Sequence, residues 1–70
     1  MSVRTVEIAD ESIRLGQFLK LAGLIDSGAD AKRVIAEGGV RVNGEAETRR
    51  GRQLRHGDVV GLHGDEVRVA

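Results

Sequence analysis

A chain of 70 residues is one domain at most and buries only a small core, too little for a dinucleotide-binding domain or a lidded substrate pocket. It has no cysteine, which excludes disulfides and thiolate-ligated zinc, and its two histidines, His56 and His63, are a poor metal set. Eleven basic residues balance eleven acidic ones, but unevenly: residues 32–55 hold seven basic against three acidic residues, and the segments on either side carry an acidic excess.

The first ten residues, MSVRTVEIAD, lack the apolar stretch of a signal peptide, and the apolar runs are too short to span a membrane. A cytoplasmic protein with no membrane partner is the expectation. Thr5-Val6-Glu7-Ile8 alternates polar and apolar, which predicts a short half-buried strand. Leu15, Phe18, Leu19 and Ala22 then fall at i, i+3, i+4 and i+7, one stripe of a helix, and Gly23 is placed to end it. In Ser27-Gly28-Ala29-Asp30 a capping residue precedes a carboxylate by three, the start of a second helix. Ala31, Val34 and Ile35 form its buried face and Gly38 its stop.

Beyond Gly39 the pattern becomes strand-like. Val40-Arg41-Val42 alternates, and Asn43-Gly44 is a strong hairpin signal. The return segment, residues 45–52, is charged and expected to face solvent, with Leu54 as its anchor. Turns at His56-Gly57-Asp58 and His63-Gly64-Asp65 bracket the apolar strand Val59-Val60-Gly61-Leu62. Glu66-Val67-Arg68-Val69 closes the chain as an edge strand, open to pairing with another copy. These elements make a single α+β domain over residues 1–70: two short helices packed on a small twisted antiparallel sheet of three or four strands. Leu15, Phe18, Leu19, Ala31, Val34, Ile35, Val40, Val42 and Val60 are its expected core.

No local signal assembles a catalytic set. The glycines form neither G-x-x-x-x-G-K nor G-x-G-x-x-G, and both histidines sit in turns, so no catalytic residue, metal site or cofactor is assigned. An enzyme would need a pocket lined by His56 or His63 with a carboxylate. The cations are more informative. Nine of the eleven are arginine, whose planar fork suits phosphate. Lys32 and Arg33 fall in the first turns of the second helix, where they oppose the helix dipole but reinforce an anion site made by Ser27 and the free amides. Arg49-Arg50-Gly51-Arg52 sets three guanidinium groups in four residues, which repel one another unless an anion is present. Arg14 and Lys20, from the first helix, extend this face. A single aromatic residue, Phe18, weighs against recognition by base stacking. The residues themselves thus point to a polyanion bound through phosphates. The rival reading is a protein-interaction module, favoured if Glu45 and Glu47 pair with Arg49 and Arg50.

From Arg14 to Gly44 the chain resembles the S-four-type RNA-binding domain, or alpha-L RNA-binding motif, named after small-subunit ribosomal protein four. Arg14-Leu15-Gly16-Gln17-Phe18-Leu19 fits the family's opening, with Gly16 in place of its acid. Gly23, Ser27, Ala31, Lys32, Ile35 and Gly38 match the helix pair, and Val40, Val42, Asn43 and Gly44 match its Val-x-Val-Asn-Gly hairpin. Gly28 stands where an arginine is common. Gln17-Phe18-Leu19-Lys20 and Glu47-Thr48-Arg49-Arg50-Gly51-Arg52 resemble the short stand-alone bacterial form. In larger relatives the domain is appended to pseudouridine synthases, tyrosyl-tRNA synthetases and rRNA methyltransferases. The resemblance implies the alpha-L fold around a core motif of residues 14–44. It also implies a non-catalytic module for structured rRNA or tRNA, associated with the ribosome or RNA metabolism. The expected phosphate contacts are Arg14, Lys20, Ser27, Lys32, Arg33, Arg49, Arg50 and Arg52.

Overall fold

Residues 3–70 are described by the computed structural model; the first two positions of the expected 1–70 domain lie outside them. In chain order the elements are β1 (Val3–Val6), β2 (Ser12–Arg14), α1 (Leu15–Leu21), α2 (Gly28–Ala36), β3 (Val40–Val42), β4 (Glu45–Ala46), β5 (Gln53–Arg55), β6 (Val59–Leu62) and β7 (Asp65–Val69).

Both helices stop by the same device. At Gly23 (φ 73°) and Gly38 (φ 79°) the chain turns left-handed, a conformation that costs glycine nothing. The following amides then reach back five residues: Leu24 N donates to Leu19 O, and Gly39 N to Val34 O, both at 3.0 Å. The starts of the helices differ. The Ser27 hydroxyl caps α2, accepting from the Asp30 amide at 3.3 Å, as the spacing predicts. Helix α1 has no side-chain cap. Its first two amides, Leu15 N and Gly16 N, donate instead to the carbonyls of Arg52 (2.8 Å) and Arg50 (3.2 Å). The arginine-rich segment is therefore fastened across the start of α1 by its backbone carbonyls.

The five-stranded sheet runs β1-β7-β6-β3-β4, and a separate two-stranded sheet joins β2 to β5. Asn43 (φ 53°) and Gly44 form the two-residue turn between β3 and β4, and His63 (φ 52°) and Gly64 the equivalent turn between β6 and β7. Asn43 also ties the first hairpin to the turn before β6. Its side-chain Nδ2 donates to Asp58 Oδ1 (3.1 Å), and its Oδ1 accepts from Val59 N (2.9 Å). Alternate residues of the strands, Val40, Val42, Val60, Leu62, Val67 and Val69, point to one face. That face meets Leu15, Phe18 and Leu19 of α1 and Ala31, Val34 and Ile35 of α2, with Leu54 of β5 in the same cluster. Every expected core residue is buried.

The α+β class stands: two helices and a mixed sheet of mostly antiparallel strands. Four details differ from expectation. The sheet has five strands, because β1 joins it in parallel beside β7. Strand β7 is consequently interior, and the free edges belong to β1 and β4, so the expected edge for pairing with another copy is not there. The first strand is Val3–Val6, two residues earlier than its alternation suggests. The segment after Asn43-Gly44 is a strand only at Glu45–Ala46, and Glu47, read as solvent-facing, is 6% exposed. The reason is local charge: Glu47 is buried under two arginines that neutralise it.

Candidate functional site

The segment between β4 and β5 folds around the Glu47 carboxylate. Glu47 N donates to Val40 O at 2.9 Å, which anchors the residue to β3. Its carboxylate then accepts four hydrogen bonds: from the backbone amide and Nε of Arg49 (both 3.1 Å), from Arg49 Nη2 (3.2 Å) and from Arg52 Nη1 (2.9 Å). The Arg49 side chain beside it, then Arg52 and the Arg49 amide, hold the Glu47 carboxyl down at about 2. Glu47 reciprocally raises the Arg49 guanidinium. Among the described residues Glu45 makes no such pair. One carboxylate thus organises two guanidinium groups, and Arg50, between them in sequence, forms no ion pair among the described residues.

Arg50 faces the other way. Its side chain crosses the first turn of α1, where a Cβ on Gly16 would stand 2.9 Å from Arg50 Cγ. The absence of a side chain at residue 16 gives Arg50 its path. It enters an open cleft of about 510 Å³ between α1 and the start of α2. Arg14 and Lys20 line the same cleft, with Gly28 and Ala31 forming its α2 wall. Among the described residues no carboxylate lines it. Lys32 is exposed and lies four residues after Gly28, on the same flank of α2.

The remaining expected contacts sit elsewhere. The Ser27 oxygen is engaged in capping, and Gly28 rather than Ser27 lines the cleft. Arg33 lies in the last turn of this nine-residue helix, where a cation favours the dipole rather than opposing it. It pairs with Asp30 at 3.6 Å and lines a different, shallow groove with Leu24, Ile25 and His63. The fold therefore brings Arg14, Lys20 and Arg50 together, with Lys32 beside them. Arg49 and Arg52 are held by Glu47 and do not line the cleft, and Arg33 is separate.

His63 lines a second groove with Asp65 and Glu66, but no hydrogen bond joins it to either carboxylate among the described residues. Sequence reasoning missed two residues of the site. Gly16 was visible only as a departure from the family pattern, and Gln17 lines the cleft from α1. Among the described residues no group of three or more His, Asp or Glu side chains is placed to hold a metal, and no helix is long and apolar enough to cross a membrane.

Comparison with known proteins bears on this arrangement. The family described as "S4 domain" matches residues 6–70. The chain is 52% identical over 59 residues to the Bacillus subtilis protein named "Probable ribosome maturation protein RlbA", covering 84% of this chain and 83% of that one. It is 44% identical over 57 residues to YbcJ of Escherichia coli, covering 81% of each. The solution structure of YbcJ, described as revealing an "alfaL motif involved in RNA-binding", matches with a TM-score of 0.75 at 37% identity, over all of this chain and 90% of that one. The crystal structure of the 30S ribosomal protein S4e from Thermoplasma acidophilum matches with a TM-score of 0.65 at 27% identity. It covers 84% of this chain, which spans only 31% of that protein.

Proposed function

The chain belongs to the S4-domain family, and on that premise we propose that it is a non-catalytic module that binds structured RNA. Its ligand is a helix, hairpin or junction of rRNA or tRNA, bound in the cytoplasm and in association with the ribosome. The observation that carries this reading is the convergence of Arg14, Lys20 and Arg50 on one carboxylate-free cleft at the start of α2. Guanidinium and ammonium groups lining one cleft at the start of a helix suit the phosphates of a backbone. The RNA-binding motif described for YbcJ and the ribosomal name carried by the B. subtilis relative support it.

In this reading Arg14, Lys20, Lys32 and Arg50 take phosphates directly. Arg49 and Arg52 flank them, with one charge of the pair neutralised by Glu47 and the other available to RNA. Ser27 shapes the site by capping α2, whereas Arg33, paired with Asp30 on a different groove, takes no phosphate in this reading. Contacts to phosphate fix orientation and carry little sequence information, so recognition is by shape.

The pairing of Glu47 with Arg49 is the feature that favours a protein-interaction module instead. A single carboxylate cannot mask three guanidinium groups, and the cleft itself holds no acid, so the RNA reading is preferred.

Ultraviolet crosslinking in the native cell, followed by sequencing of the attached RNA, tests it. The expected result is a peak on rRNA or tRNA helices that is lost in an Arg14→Ala, Arg50→Ala double variant. A folded protein with no RNA above an untagged control would overturn the proposal.

A further inference from the structure

Helix α1 separates two grooves of opposite character. Its core stripe, Leu15, Phe18 and Leu19, is buried, which leaves Gly16 and Lys20 on the side of the basic cleft. Leu21 falls outside the stripe and is 55% exposed, a large apolar side chain left in water. It does not stand alone. Ile8 and Ile13, both half-buried, lie with it along a groove of about 400 Å³ formed by the connection between β1 and β2. Glu7 and Asp10 line the same groove and Glu11 lies in the same bend; among the described residues no cation lines it, the Arg4 guanidinium being turned onto Ala22 O (3.0 Å) at the end of α1. Scattered exposed leucines are ordinary, whereas apolar side chains gathered in one groove with a polar rim mark an interaction surface.

The charge of that rim selects the occupant. A phosphate backbone or an anionic membrane surface would be repelled by Glu7 and Asp10. A peptide offering an apolar anchor to Leu21, Ile8 and Ile13 and a lysine or arginine to the carboxylates meets both requirements. We propose that the groove between α1 and the β1–β2 connection docks a basic, apolar-anchored segment of a partner protein. This surface lies across α1 from the basic cleft, and its occupancy does not depend on what that cleft binds. Among the described residues only Gln17, on the ridge, borders both. The acidic excess in the first part of the chain is thereby given a use, as the counterpart of the basic excess after it.

The test is an amide NMR titration of the full chain with a synthetic amphipathic helical peptide of leucine and lysine. Two control peptides accompany it, one with glutamate for lysine and one with serine for leucine. The expected result is that the leucine–lysine peptide shifts the amides of residues 7–13 and 17–21, and that neither control does so. Leu21→Ser, at an exposed position, keeps the folded spectrum and weakens binding about tenfold, as loss of an apolar anchor does. Arg50→Ala leaves it unchanged. Equal binding of the glutamate peptide, an unaltered affinity in Leu21→Ser, or loss of binding in Arg50→Ala would each overturn the proposal.

Discussion

Arg52 reaches back five residues to place its Nη1 2.9 Å from Glu47 Oε1, and in doing so closes the arginine-rich segment over a carboxylate that is almost wholly buried. The same segment gives its Arg52 and Arg50 carbonyls to the first amides of α1. A run of cations is thus held as a defined loop by one internal anion and two backbone bonds.

This arrangement makes stability depend on acid in a particular window. The Glu47 carboxyl ordinarily titrates at 4.5 and is held at about 2 in the fold, chiefly by the Arg49 side chain and then by Arg52. A depressed folded value means that the stabilisation is fully present above pH 4.5 and is lost as the pH falls toward 2. Thermal melts across that range should show Glu47→Gln melting below the wild type at neutral pH, with the gap narrowing as pH falls. Curves that stay parallel throughout would show that Glu47 carries no such linkage.

Gly16 separates binding from stability. A methyl group there meets Arg50 Cγ at 2.9 Å, and the exposed arginine side chain must swing away. Alanine is also the better helix former, by at most about 1 kcal/mol. Gly16→Ala should therefore stay folded and yet bind structured RNA more weakly, approaching Arg50→Ala. Urea unfolding and filter binding on the same preparation check both halves. Unchanged affinity would mean that Arg50 does not need its path over α1.

Most of this fold is legible in the sequence because its signals are local. The Ser27 cap, the two glycine stops and the Asn43-Gly44 turn each depend on a few consecutive residues, and each lies where its residues require. What could not be read is long-range pairing. Strand β5 finds β2 across the chain, with Ser12 Oγ donating to Gln53 Oε1 at 3.0 Å, and β1 finds β7. Neither partner announces the other in its own alternation. The candidate site divides along the same line. Arg14, Lys20 and Arg50 are recognisable as cations, but their meeting in one cleft depends on how α1, α2 and the arginine loop pack. Charge alone also suggested that residues 45–52 all face water, whereas Glu47 is buried because Arg49 and Arg52 follow it.

The core leaves little reserve. Phe18, the one aromatic residue, is fully buried between the helix pair and the sheet. Phe18→Ala should cost roughly 3–5 kcal/mol, a large share of what so small a domain has. Circular dichroism at 25 °C should show a largely unfolded chain or a much lower urea midpoint. A midpoint within experimental error of the wild type would mean that the core is held by other residues.

The central claim is that the carboxylate-free cleft takes RNA phosphates, and the salt dependence of binding tests it most directly. Each phosphate contact contributes about 0.7–0.9 to the slope of log affinity against log salt. With one structured RNA, Arg50→Ala should lower the affinity and reduce that slope by about one, whereas Arg33→Ala, outside the cleft and paired with Asp30, should leave the slope close to the wild-type value. Equal slopes for the wild type and Arg50→Ala would contradict the account.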